Sequence, residues 1–154
     1  ALFIEPKDAM DYVVGYTVHN DISGSGMIKQ DKGNFVRGKN MPASAPFGPF
    51  LVTADEVVNP YAVRIKLDVD GRVLQDGTTG TMLFKIAELI SFISKQMPLE
   101  PGDIIATGTP AGLAMMHQPT AWLEPGQAIR VELEGLGVLN NPIKKGAPFL
   151  EQKI

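Results

Sequence analysis

The chain has 154 residues, a formal net charge of −3 and no cysteine; this length suits one domain with its own core, and disulfides, thiolate metal sites and cysteine nucleophiles are excluded. Lysine and arginine are scattered through a mildly acidic sequence, which argues against a nucleic-acid surface or a polybasic membrane patch and is compatible with a small anionic metabolite as partner. Apolar runs fall far short of the roughly 18 residues of a membrane span, and no charged-then-apolar signal segment opens the sequence, so a soluble, cytoplasmic protein with no membrane partner is expected.

Along the chain, Asp8 to Asp11 predict a helical turn after Pro6, followed by an apolar strand around Val13 to Val18. Gly24 to Gly38 is polar and rich in glycine. Phe50 to Thr53 and Val63 to Val69 have strand character, and Asp70-Gly71 is a two-residue hairpin signal before Arg72 to Gln75. Ile86, Leu89, Ile90, Ile93 and Met97 follow helical spacing, predicting a helix over Phe84 to Gln96 that Pro98 and Pro101-Gly102 close. Ile104 to Ala106 read as a buried strand, and Thr107 to Gly112 as a loop able to offer N–H groups and hydroxyls to an anion. The tetrads at Leu99 to Gly102 and Leu123 to Gly126 are recurring turns, each introducing a strand, and the second leads through Glu134-Gly135 into a hairpin ending near Ile143. Mostly strand, one substantial helix and no βαβ alternation predict an α+β domain, mainly β, spanning residues 1–154.

Asp21 ends an apolar strand and precedes a polar segment, so it is either a carboxylate at a pocket rim or an Asp that forms a turn. His19, two positions earlier, would share its strand face. Lys39 lies between Gly38 and Asn40, and by itself reads equally as a solvated loop lysine. His117 reads as a surface or lid residue, and neither histidine has a Ser or Cys partner at a spacing that would suggest a triad.

Six segments in fixed order add to this: GYTVHNDIS (Gly15 to Ser23), RGKN (Arg37 to Asn40), PFGPFLVTADEV (Pro46 to Val57), LQDGTTGTMLF (Leu74 to Phe84), the threonine loop, and LEPGQAIRVELEGLGVLNNPI (Leu123 to Ile143). Together they resemble the fumarylacetoacetate hydrolase family from about Ala9 to Ile143. Within it the chain is most similar to small bacterial acylpyruvate hydrolases and 2-hydroxyhepta-2,4-diene-1,7-dioate isomerases of aromatic catabolism, partly because AMMHQPTAW intervenes between the threonine loop and the last hairpin. The resemblance implies a roll of mixed β-sheets with the site at one open end, a homodimer, and Mg²⁺ or Mn²⁺ as cofactor, with Ca²⁺ as a stand-in in crystals.

The same resemblance implies that Asp21 ligates the metal, that Lys39 faces the substrate's oxygens, and that Gly108, Thr109 and Pro110 bind its carboxylate. Gln30 is the candidate for a glutamine that faces substrate. The sequence departs from the family where Ser23-Gly24-Ser25-Gly26 replaces Ser-Ala-Arg-Asp, which removes a cationic fork for the substrate. It also lacks the expected Glu-x-Glu pair of metal ligands; the segment order predicts such a pair just before Ala1, a short segment between Ile4 and Glu5, and the activating His and Glu dyad farther upstream. Glu132-Leu133-Glu134 has the spacing but falls in the last hairpin and is assigned to a solvated strand face. The implied activity is metal-dependent hydrolysis of a carbon–carbon bond in a 2,4-dioxo acid, releasing pyruvate. Isomerisation or decarboxylation through the same enolate and an inactive, metal-free binding or assembly domain are the alternatives.

Overall fold

The computed structural model describes residues 1–146, so 147–154 of the expected domain lie outside the described residues. Two antiparallel sheets form the body. Strand β1 (Gly15–His19) pairs with β2 (Phe47–Thr53), while β3 (Arg64–Val69), β4 (Arg72–Thr78), β5 (Ala128–Leu133) and β6 (Gly137–Pro142) make a sheet of order β4-β3-β5-β6. The β3–β4 turn is the one Asp70-Gly71 predicts, with both residues at positive φ (50° and 83°) as the twist of a tight hairpin requires.

Side chains alternate along these strands with period two. On β5, Ile129 and Val131 are buried, whereas Arg130 and Glu132 lie on the wetter face and pair at 2.8 Å. The buried face packs with Val18, Val63, Val69 and Leu136 to form the main core, which locks the small sheet onto the large one. Glu132 therefore belongs to the polar face as expected, and Glu134 lies in the turn after β5.

A second core cluster joins Ile4, Ala9, Ile86 and Ile90. It holds helix α3 (Ile86–Ser94), shorter at both ends than the predicted span, against the N-terminal segment and a 3₁₀ turn at Ala9–Tyr12. The Glu88 carboxylate accepts from Lys85 N at 2.6 Å and the Tyr61 hydroxyl from Ile86 N at 3.2 Å, so the first N–H groups of the helix are satisfied.

The polar, glycine-rich segment from Gly24 carries two short helices, α1 (Ser25–Gln30) and α2 (Phe35–Lys39). Gly38 makes their contact possible, since a Cβ there would meet Ile28 Cγ1 at 2.4 Å, and its carbonyl accepts from Gly24 N at 2.8 Å. Ile104 to Ala106 is not a strand and Ile104 is 54% exposed. An apolar run becomes a strand only with a ladder partner, and none of the described strands pairs with it. Of the two Leu-Glu-Pro-Gly tetrads, both make turns but only the second leads directly into a strand.

Candidate functional site

Asp21 sits just beyond β1, where the backbone is fixed on both sides. Asn20, buried, donates its N–H to Pro46 O at 3.0 Å and its side-chain amide to Asn141 Oδ1 at 3.3 Å, and Ile22 N donates to Ser44 O at 2.8 Å. Asp21 between them is turned outward. Lys39, at the end of α2, reaches it: Nζ lies 2.5 Å from Asp21 Oδ2, with the two side chains 30% and 41% exposed. Beyond this pair, Lys39 to Met41 and Ala43 to Pro46 line an open groove of about 420 Å³. Its wall is anchored by buried Ser44, whose hydroxyl lies 2.7 Å from Met41 O and 3.3 Å from Lys39 O.

Gln30 is drawn elsewhere. Its amide oxygen accepts from Arg37 Nη2 at 3.2 Å, and the same guanidinium makes a two-pronged contact with Asp31 at 2.7 and 2.8 Å. Arg37 therefore ties α1 to α2. Its hydrogen bond holds the Asp31 carboxyl below the usual range, and the carboxylate in turn raises the guanidinium.

The threonine loop docks on β4. Gly112, at φ 103°, comes so close that a Cβ would stand 2.1 Å from Leu74 O, and a Cβ on Gly77 would meet Pro110 at 2.9 Å. Gln75, buried in β4, lies with Nε2 2.9 Å from Thr109 Oγ1 and 2.8 Å from Pro110 O. Thr107 to Pro110 then form one wall of a second groove, of about 320 Å³, opposite Thr78, Thr79 and Thr81 with Met82 and Leu89. No residue lines both grooves. Gly108, at φ 114°, has open space where a side chain would stand, so the loop backbone is open to a ligand.

Sequence reasoning gave no role to Gln75. The signal was available only as the segment LQDGTTGT, since an alternating Gln in a strand reads as a solvated face residue. His19 closes β1, half-buried. His117 Nε2 lies 3.1 Å from Gly112 O, and because a carbonyl only accepts, the ring nitrogen carries the proton. This contact ties the Ala114 to Trp122 insertion back to the threonine loop. Met115, Met116 and Trp122 are exposed.

Asp21 is a hard-oxygen donor suited to Mg²⁺ or Mn²⁺. Among the described residues, no three His, Cys, Asp or Glu side chains converge, so Asp21 stands here as a single candidate ligand.

A family model described as the C-terminal part of fumarylacetoacetate (FAA) hydrolase matches residues 2–144. The chain is 44% identical over 137 residues to an uncharacterized protein of Staphylococcus aureus, a match covering 89% of the chain and 45% of the relative. It superposes on the fumarylacetoacetate hydrolase of the psychrophile Exiguobacterium antarcticum with a TM-score of 0.89 at 37% identity, covering 94% of this chain and 51% of that one. A 2-hydroxyhepta-2,4-diene-1,7-dioate isomerase of Mycobacterium marinum gives a TM-score of 0.84 at 34% identity, over 96% and 54%. The chain spans about half the length of the curated relatives it matches. Among the described residues no helix is long and apolar enough to cross a membrane. The match over residues 2–144 and these superpositions show that the chain belongs to the fumarylacetoacetate hydrolase family.

Proposed function

We propose that this chain is the catalytic part of a cytoplasmic, homodimeric enzyme that hydrolyses a carbon–carbon bond in a 2,4-dioxo acid of the acylpyruvate or fumarylacetoacetate type. The observation that carries the reading is the Asp21–Lys39 corner, an ammonium and a carboxylate held 2.5 Å apart at the open end of β1. In such a cleavage, water adds to the C4 carbonyl and the C3–C4 bond breaks. The electron pair passes to C3 and into the C2 oxygen as an enolate, which takes a proton to give pyruvate beside a carboxylic acid. The charge that grows on the C2 oxygen is what a lysine ammonium stabilises, and it does so more strongly in a water-poor site than at a surface.

Thr109 and the open backbone at Gly108 bind the C1 carboxylate, and Pro110 shapes the loop behind them. Mg²⁺ or Mn²⁺, taking Asp21 as one oxygen ligand, would supply Lewis acidity; the ligands that complete its shell are not among the described residues. Gln30, engaged by Arg37, contributes to holding α1 against α2 and is not assigned to substrate.

The Mycobacterium marinum neighbour favours a second reading in which the same enolate is reprotonated without carbon loss. Incubating the protein with acetylpyruvate and Mg²⁺ or Mn²⁺, and following products by NMR, separates the readings. Pyruvate and acetate in equal amounts support hydrolysis. Isomerisation of a 2-hydroxy-2,4-dienedioate without pyruvate supports the second reading, and no change in either substrate leaves the inactive domain.

A further inference from the structure

We propose that Gln75 is a positioning residue: it fixes the direction of the Thr109 hydroxyl, and so makes the threonine loop a hydrogen-bond donor toward a carboxylate or enolate oxygen. The inference rests on the reading of Thr109 as a carboxylate contact. Gln75 lies within β4, opposite Leu67 of β3, and is only 8% exposed. Its amide nitrogen faces three acceptors in succession: Thr109 Oγ1 at 2.9 Å, Pro110 O at 2.8 Å and Ala111 O at 3.5 Å. Two of these are carbonyls, which only accept, so the nitrogen and not the oxygen of the amide must face the loop.

With one proton of that amide directed at Pro110 O, the other goes to Thr109 Oγ1. A hydroxyl that accepts from Gln75 keeps its own single proton for another acceptor, and that proton cannot point back at the amide. Thr109 is exposed and lines the second groove, so the proton is presented there. Two other threonines of this groove spend their protons on the backbone: Thr79 Oγ1 accepts from Val63 N at 3.0 Å and donates to Val63 O at 3.4 Å, and the Thr81 hydroxyl donates to Thr78 O at 2.8 Å. The close approaches of Gly112 to Leu74 and of Gly77 to Pro110 hold the loop so that the hydroxyl is set before a ligand arrives.

A double-mutant cycle tests this. Gln75→Met removes the donor at similar volume, Thr109→Val removes the hydroxyl at similar shape, and the affinity for acetylpyruvate is measured by calorimetry together with kcat/KM and the melting temperature. Each single change is expected to weaken binding about tenfold, the loss of one hydrogen bond to a charged group. In the Thr109→Val background, Gln75→Met is expected to cost less than about twofold more, because no hydroxyl remains to orient. Should Gln75→Met not fold, Gln75→Glu carries the same cycle, with the carboxylate drawing the hydroxyl proton out of the groove. An equal loss from the Gln75 change in both backgrounds, or none in either, overturns the inference: Gln75 would then only brace the loop. A wild-type protein that binds no dioxo acid overturns the functional reading and the inference with it, whereas binding and turnover without coupling overturn the inference alone.

Discussion

Lys39 and Asp21 are eighteen residues apart in sequence, and they meet because each is pinned by a neighbour. Asn20 is bound through its backbone to Pro46 and through its side chain to Asn141, and Gly38 admits Ile28 so closely that α2 can lie only where it does. On the proposed reaction, Lys39 acts when the enolate forms. Lys39→Ala should therefore lower kcat by about a hundredfold or more while KM changes little, the pattern expected for an oxyanion donor. Steady-state kinetics check this, and a change confined to KM would make Lys39 a ground-state binder. The Asn20-Asp21 and Gly38-Lys39-Asn40 pairs were legible in the sequence because they stand in contiguous motifs. Gln75 was not, because its meaning lies in a contact with Thr109, thirty-four residues away, and neither residue announces the other. Gln30 was placed near the substrate by sequence register; the structure gives its amide oxygen to Arg37, a local contact between two helices that the glycine-rich composition concealed.

The elements fall into those that carry their own signal and those that depend on a partner. Asp70-Gly71 and the i, i+3, i+4 stripe of α3 specify a hairpin and a helix within a few residues, and both formed where predicted. Ile104 to Ala106 had apolar strand character but no described strand to pair with, so local propensity had nothing to act upon. The threonine loop is an element of the dependent kind, and its dependence on β4 is testable. Gly112→Ala places a Cβ 2.1 Å from Leu74 O at φ 103°, whereas Gly102→Ala adds a Cβ in open space at φ 99°. Both pay backbone strain of order 1–3 kcal/mol, but only the first must also displace the loop from β4. Thermal unfolding should show Gly112→Ala as the less stable of the two, and equal melting temperatures would contradict the docking. The α1–α2 pair carries a pH signature. Arg37 holds Asp31 below the ordinary Asp value of about 3.9, so the pairing contributes fully above about pH 4 and is lost as pH falls through the lower folded value. The difference in melting temperature between wild type and Asp31→Asn should be present at pH 6 and narrow progressively as pH falls below the ordinary Asp value. Both residues are exposed to salt, so the difference should also shrink at high ionic strength.

At the scale of the whole molecule, the chain leaves much apolar surface in water. Phe47, Phe50 and Leu51 of β2, Leu83 and Phe84 beside the second groove, and Trp122 of the insertion are all exposed. Surface of this kind marks contact regions, and with the open edge of β2 it supports the homodimer proposed above. Sedimentation at micromolar concentration should give twice the chain mass, and a monomer would remove the dimer. The overall α+β architecture was legible because alternation, turns and one helical stripe are local properties, and the family segments set their order. The joining of Asp21 to Lys39 and of Thr109 to Gln75 was not, since both are products of packing. The proposed role of the Asp21–Lys39 corner, as the reacting centre of a dioxo-acid hydrolase, is tested most directly by pyruvate release from acetylpyruvate in Mg²⁺ or Mn²⁺ by the wild-type protein and by Asp21→Asn, with bound metal and melting temperature measured on both. Turnover by the wild type and at least a hundredfold loss in the variant are expected, together with loss of bound metal and an unchanged melting temperature; equal turnover by the two proteins, or none by the wild type, would overturn that role.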